Sequence, residues 1–447
     1  MSTYATFAAR RARLLAQMEP GAVAVLPTAP EVARNSDSDY LYRHDSYFYY
    51  LTGFTEPEAT LVLIAARGEV PASAILFCRQ KDVEREIWDG FRYGPEAARS
   101  TFGFDAAFAI DSLNEEMGRL LANAPTLYYA LGRSTPLDAQ VKQWLGSVRA
   151  QSRSGITAPA TAADLLPLLD EMRLLKDEGE IAIMQRAALI SGNAHARAMR
   201  ATRPGMHEYE VEAELLYEFR RNGSQAPAYS SIVASGANAC VLHYSANNAL
   251  CKDGDLLLID AGCELDGYAS DITRTFPVNG RFSEPQKRLY ELVLASQSAA
   301  LAAVQPGARY TSIHEAAVKV LAQGMLDLGL LDKNGSGSVD DVIADKRYLQ
   351  FYMHGTGHWL GMDVHDVGQY RDINTAGKPS RPLQAGMVLT VEPGIYVRPA
   401  EGVPEEYWNI GIRIEDDVLV TDTGHVVLST SAPKTVAEIE AIMQQTP

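Results

Sequence analysis

Cysteine is scarce: 447 residues contain four, Cys78, Cys240, Cys251 and Cys263. None pairs as C-x-x-C, and the spacings of 11 and 12 between the last three fit no zinc-finger pattern. A disulfide scaffold and a thiolate-held metal are thereby set aside, and buried thiols in a reducing compartment are expected. No stretch reaches 18 apolar residues, so no membrane span is expected. Residues 1–20 read as an amphipathic helix, with Phe7, Leu14, Leu15 and Met18 among arginines. They lack the apolar centre of a secretion signal, so a cytoplasmic location is expected. Basic charge is short as well: 40 Lys+Arg stand against 56 Asp+Glu, a formal net charge of −16. A nucleic-acid partner would need clustered Lys and Arg, so none is expected. Three signatures are also missing: the Gly-x-Ser-x-Gly elbow, the Walker phosphate loop and H-E-x-x-H.

What is present is an ordinary globular balance, 47% hydrophobic and 21% charged, with length for two to four domains. Short apolar runs at 23–26, 60–64 and 74–77 are bounded by Pro and Gly. They alternate with helical patterns over 113–121 and 139–145, which predicts an α/β domain. The turn-rich stretch 151–159 breaks the rhythm, and a helix is expected over 162–175. The boundary falls there, giving domains 1–174 and 175–447.

The second part repeats itself. A long helix over 178–201 ends at Pro204-Gly205 and is followed by a helix over 208–221. Helices over 285–304 and 312–328 flank Pro306-Gly307, 102 residues later. The strands that follow also match. Gly254 opens an apolar run ending in Asp260-Ala-Gly262, and Gly386 opens one ending in Glu392-Pro-Gly394. In each copy an acid stands six residues after the first Gly and two before the second. A further acid follows in each, Asp271 and Glu415. A pseudo-two-fold domain with strands inside and helices outside would bring the four carboxylates to one centre.

Asp260 ends an apolar strand, where an unpaired acid is costly to bury. Asp271 lies beyond the Asp266-Gly267 turn signal. A hairpin turning near 265–266 would set the two acids opposite each other, a repulsive arrangement that a cation would relieve. Taken alone, the pair reads as readily as one exposed acid and one satisfied by its turn. Period-2 alternation puts Gly411, Arg413 and Glu415 on one strand face, with room beside Gly411. An amphipathic surface hairpin is the plain alternative there. Three histidines fall within twelve residues: His354, His358 and His365. Gly355 and Gly357 argue for a loop rather than a helix. His243 is a fourth candidate, though a lone histidine there also reads as a core residue. Four carboxylates with one imidazole form a hard ligand set, suited to Mn2+ and similar ions, and their charge matches two dications.

At these residues the sequence resembles the pita-bread metallopeptidases, within them the Xaa-Pro aminopeptidase (aminopeptidase P) family. The motifs are Leu258-Ile-Asp260-Ala-Gly, Ser270-Asp271-Ile-Thr-Arg-Thr-Phe, Gly357-His358-Trp-Leu-Gly, Thr390-Val-Glu392-Pro-Gly and Arg413-Ile-Glu415-Asp. Tyr50-Leu-Thr-Gly-Phe54-Thr-Glu-Pro57 resembles the family's N-terminal domain. The resemblance implies an α/β, creatinase-like oligomerisation domain followed by an α+β pita-bread catalytic domain. It implies two divalent metal ions, Mn2+, held by Asp260, Asp271, His358, Glu392 and Glu415. Glu392 would also accept a proton from a metal-bridging water. His365 and His243 would hydrogen-bond the scissile carbonyl or the species formed from it. His354 would line the proline-side pocket, with Tyr396 and Arg413 beside the ligands. The substrates implied are peptides with proline second, hydrolysed at the Xaa-Pro bond. The alternatives are a prolidase limited to Xaa-Pro dipeptides and a non-catalytic pita-bread binding module. A homo-oligomer, tetramer or dimer, is implied, with Trp88, Arg153 and Asp37 or Asp39 as candidates to reach a neighbour's groove. Between His354 and His358 this chain carries Gly-Thr-Gly where many relatives have Leu-Ser, which bears on pocket shape and leaves the ligands intact.

Overall fold

The computed structural model describes residues 4–445. Two compact units meet in sequence between Met172 and Arg173. In the first, a six-stranded mixed sheet has the spatial order Ala106–Ala109, Ser73–Cys78, Thr60–Ile64, Val23–Pro27, Thr126–Tyr129, Thr161–Asp164. Its apolar face packs against helices Leu113–Leu120 and Thr135–Arg149 through Leu113, Met117, Leu137, Val141 and Trp144. The helix expected over 162–175 is corrected in part. Thr161–Asp164 is a strand paired in parallel with Thr126–Tyr129, and the helix runs Leu166–Leu174. The short, half-polar sequence Thr-Ala-Ala-Asp takes its conformation from edge pairing rather than from propensity. All four cysteines are free and buried.

The second unit carries the repeat. Helices Glu178–Ala201 and Glu208–Arg221 form one antiparallel pair, Glu284–Ala302 and Tyr310–Asp327 the other. The long helix of each pair starts at a capping box, Asp177 with Glu180 and Ser283 with Gln286. Their apolar faces cover the strands with a core that includes Ala187, Leu215, Phe219, Leu257, Ile259, Leu289, Val293, Leu321 and Ile412. Among the described residues no helix is long and apolar enough to cross a membrane.

Register decides where the acids point. In the first half Leu256–Asp260 pairs antiparallel with Thr273–Pro277, setting Asp260 opposite Thr273. The hairpin between them turns at Asp266 and Gly267, with φ of 50° and 80°, and pairs Leu265 with Tyr268. The expected turn at 265–266 is therefore displaced, and Asp271 is not opposite Asp260. It is the diagonal neighbour, two residues before Thr273 and on the same face. In the second half Val391 pairs with Asp416 and Gly394 with Arg413, and the same register sets Glu392 opposite Glu415. The halves are thus not equivalent at the centre. Glu415 takes the place of Thr273, and Arg413 takes the place of Asp271.

Gly411 explains a close approach. A Cβ there would stand 2.3 Å from the carbonyl oxygen of Ala239. The room beside Arg413 and Glu415 is filled by the backbone of the 3-10 turn Gly236–Cys240, which leads into the His243 segment.

Candidate metal centre

The strand ends and the histidine loop open onto one cavity of about 830 Å³. Asp260, Asp271, His358, Glu392, Glu415, Arg413, His243, His354 and His365 all line it. Tyr396 stands behind the wall, bonded to His354 and Arg413. Trp88 and Arg153 belong to the first unit: Trp88 is 84% exposed on helix Val83–Asp89, and Arg153 is exposed in the turn Ser152–Ser154. Asp37 and Asp39 are exposed in the same unit.

Each acid is held differently. Ligand atoms of Asp271, His358 and Glu415 lie within 4.8 Å of one another, all three residues buried. His358 Nε2 is 3.4 Å from Asp271 and 3.7 Å from Glu392. Its Nδ1 is 3.0 Å from the carbonyl oxygen of Trp359, the partner that fixes ring orientation in a ligating imidazole. Asp260 receives a 2.6 Å bond from the buried Arg413 guanidinium and another from the Tyr229 hydroxyl. The same phenol oxygen lies 2.5 Å from Asp271, so one hydroxyl, with its single proton, sits between both acids of the first half. Thr273 donates to Glu415 at 2.6 Å. Neither Tyr229 nor Thr273 carried a signal in the sequence, because their roles depend on the register. Asp417, buried beside the ligands, accepts the backbone N–H of Asp271 at 3.1 Å.

The histidine segment is a loop, as its glycines require. A Cβ on Gly357 would lie 2.0 Å from the Thr390 carbonyl oxygen, so only glycine lets the loop pack on the Glu392 strand. Thr356, between the two histidines of the loop, bonds Tyr352 at 2.6 Å and His314 at 2.8 Å. Its carbonyl receives the N–H of Glu392 at 2.8 Å. His354 Nε2 is 2.8 Å from the Tyr396 hydroxyl, which accepts from Arg413 at 3.1 Å. His365 stacks on His358 with ring centroids 4.0 Å apart. Its neighbour Asp366 is buried between Arg173 and Lys176, at 2.7 and 2.9 Å, which pins this stretch of loop.

The electrostatics call for a cation. Burial, then repulsion from neighbouring acids, pushes Glu415 well above the usual carboxylate range. Burial and Asp260 push Asp271 up as well. Burial pushes Glu392 to about 7 against the pull of His358 and Arg413. Burial alone would lower His358, yet Asp271 and Glu392 outweigh it and hold the ring at about 9. Protons and one imidazolium thus do the work that positive charge would otherwise do among four convergent carboxylates. A hard, oxygen-rich set of this kind fits divalent cations.

Comparisons agree with this chemistry. Residues 182–422 match the family model for metallopeptidase family M24, and residues 7–128 match that for the aminopeptidase P N-terminal domain. The chain is 46% identical over 437 residues to the Xaa-Pro aminopeptidase of Escherichia coli (strain K12), spanning 98% of this chain and 97% of that one. It is 43% identical to the Xaa-Pro aminopeptidase of Haemophilus influenzae, spanning 98% and 96%. Among solved structures, the aminopeptidase PepP of Pseudomonas aeruginosa superposes with a TM-score of 0.95 at 50% identity, covering 98% of both chains.

Proposed function

Because the chain belongs to metallopeptidase family M24 and bears the aminopeptidase P N-terminal domain, we infer that it is a metal-dependent exopeptidase removing the first residue from peptides with proline second. The observation that carries this reading is the meeting of four carboxylates and His358 in one cavity, in a chain matched over 98% of its length by Xaa-Pro aminopeptidases. A prolidase would need a group dedicated to the free carboxylate of a dipeptide, and a binding module would have no need of the complete ligand set.

Asp260, Asp271, His358, Glu392 and Glu415 are the proposed ligands of two divalent ions, with Mn2+ favoured by the hard donor set. When bound, such ions supply the positive charge that acidifies water and polarises the scissile carbonyl. The protein's own groups do the rest. Glu392 takes the proton of the attacking water. His243 and His365, on two separate loops lining the cavity, present ring N–H groups to the carbonyl oxygen as negative charge develops on it. His354, oriented by Tyr396, lines the side that receives the proline ring. Arg413 keeps Asp260 in place through its 2.6 Å contact.

The deciding experiment offers metal-loaded protein an Xaa-Pro dipeptide, an Xaa-Pro-Xaa tripeptide and the same tripeptide with alanine second. Release of the first residue from the Xaa-Pro-Xaa peptide is expected, with little cleavage when alanine replaces proline. Turnover of the dipeptide alone would establish a prolidase instead.

We further propose assembly into a tetramer or dimer, with exposed Trp88 and Arg153 reaching a neighbour. Trp88→Ala should then shift the sedimentation profile toward smaller species or raise KM, and no change in either refutes the assignment. A cytoplasmic location is proposed from the four free thiols. Recovery of the protein outside the cytoplasmic fraction would contradict it.

A further inference from the structure

His243 lines the metal cavity from an exposed loop. Among the described residues its side chain makes no hydrogen bond, ion pair or ring contact. Its position is therefore set by the backbone that carries it. That backbone is fastened from behind by one carboxylate. Glu208, the first residue of helix Glu208–Arg221, is wholly buried. Its Oε1 accepts from the Ser235 N–H at 2.7 Å and the Asn238 amide at 3.1 Å. Its Oε2 accepts from the Tyr244 hydroxyl at 2.7 Å and the Ala249 N–H at 2.8 Å. The four donors bracket His243 from both sides in sequence, and one belongs to its immediate neighbour. No Lys, Arg or His pairs with Glu208 among the described residues, so the charge is held by these donors alone.

An acid at a helix start has a plain explanation, since it complements the helix dipole. That would need one or two N–H groups of its own helix. Glu208 instead spends all four bonds on the segment 235–249, while the capping box of this helix is made by His207 and Glu210. A buried carboxylate saturated by donors from one loop is a rigid anchor, because moving any donor leaves a buried charge under-satisfied.

We propose that Glu208 is a positioning residue for the peptidase reaction, fixing His243 against the scissile carbonyl by gripping the loop on both sides of it. The inference rests on the role proposed above for His243. Glu208→Gln keeps the shape and one acceptor oxygen, but turns an NH2 group toward Tyr244 and Ala249. The tyrosine hydroxyl can reverse its bond and the Ala249 N–H cannot, so the loop shifts at His243.

The test is a double-mutant cycle on the metal-loaded, full-length protein with an Xaa-Pro-Xaa peptide. Glu208→Gln is expected to lower kcat on the order of 10- to 100-fold. KM, Mn2+ stoichiometry and melting temperature should change little. In a His243→Ala background the same substitution should cost less than about 2-fold, because the group it positions is gone. Should Glu208→Gln fail to fold, Tyr244→Phe removes a single bond to Glu208 and is expected to give a smaller loss that likewise vanishes without His243. A Glu208→Gln loss that is equal in both backgrounds, or no loss in the parent, overturns the inference while leaving a costly His243→Ala, and its proposed role, standing. A silent His243→Ala overturns both together.

Discussion

Glu415→Gln is expected to lower kcat/KM for an Xaa-Pro peptide by more than about 100-fold, beyond the cost of losing a group that merely supports a metal ligand. The same substitution should make the metal-free protein more stable. Glu415 is buried, faces Asp271, Glu392 and Asp260, and among the described residues its carboxyl has only the Thr273 hydroxyl as a hydrogen-bond partner. Its carboxyl is held well above its ordinary range, so the folded chain keeps a proton there that the unfolded chain releases above about pH 4. That difference costs stability, increasingly as pH rises. A glutamine accepts the Thr273 bond without the cost. The melting temperature of the metal-free variant should therefore exceed the parent's, by more at pH 8 than at pH 5. Calorimetry in chelator, with peptide assays after metal loading, checks both halves. Near-parental turnover, or a metal-free variant that melts lower at every pH, would refute the assignment of Glu415 to a cation site.

Thorough chelation should abolish hydrolysis, and Mn2+ should restore it; activity that survives chelation would exclude the metal mechanism. The metal-free chain should also show an unusual pH profile. Glu392, Glu415, Asp271 and Asp417 all have raised folded values. For a raised acid the folded state binds more protons than the unfolded state between the two pKa values. Stability is then highest below the unfolded value and falls as pH rises. The window runs from about pH 4, where free carboxylates titrate, through Glu392 at about 7. Asp416 acts in the opposite sense. Arg274 and Lys434 hold it far below its ordinary range despite burial, so its contribution is present at neutral pH and fades only in strong acid. The metal-free protein should melt highest in mildly acidic buffer and lose stability toward pH 8. Ligands must shed their protons to bind a cation, so added Mn2+ should raise the melting temperature most at pH 8. A metal-free profile that rises steadily from pH 5 to 8 would contradict the shared burial of these acids.

How much of this was legible follows from where each signal lies. Asp260 and Glu392 stand out because they end apolar strands where a β-branched residue belongs. The helix pairs stand out because Pro204-Gly205 and Pro306-Gly307 punctuate two long amphipathic patterns. These are local signals, and the structure gathers the residues they flag around one cavity. The register was not legible to the residue, because a turn at Asp266-Gly267 rather than one position earlier depends on which residues adopt positive φ. Once register is lost, so are Tyr229 and Thr273, whose contacts are set by it. Glu208 was hidden for another reason: an acid opening a helix matches the ordinary capping pattern, and only its bonding partners reveal that it serves a distant loop. The strand Thr161–Asp164 was missed because edge pairing overrode a weak local preference.

The exchange of Arg413 for Asp271, and of Glu415 for Thr273, has a consequence for the repeat itself. Two copies of the first half around the pseudo-axis would bring together four carboxylates and neither the guanidinium that steadies Asp260 nor the imidazole of His358. Two copies of the second would supply two guanidinium groups to compete with any metal for the acids. Each half carries what the other lacks, so the duplicated architecture works as a complementary pair, and neither half is a spare for its twin.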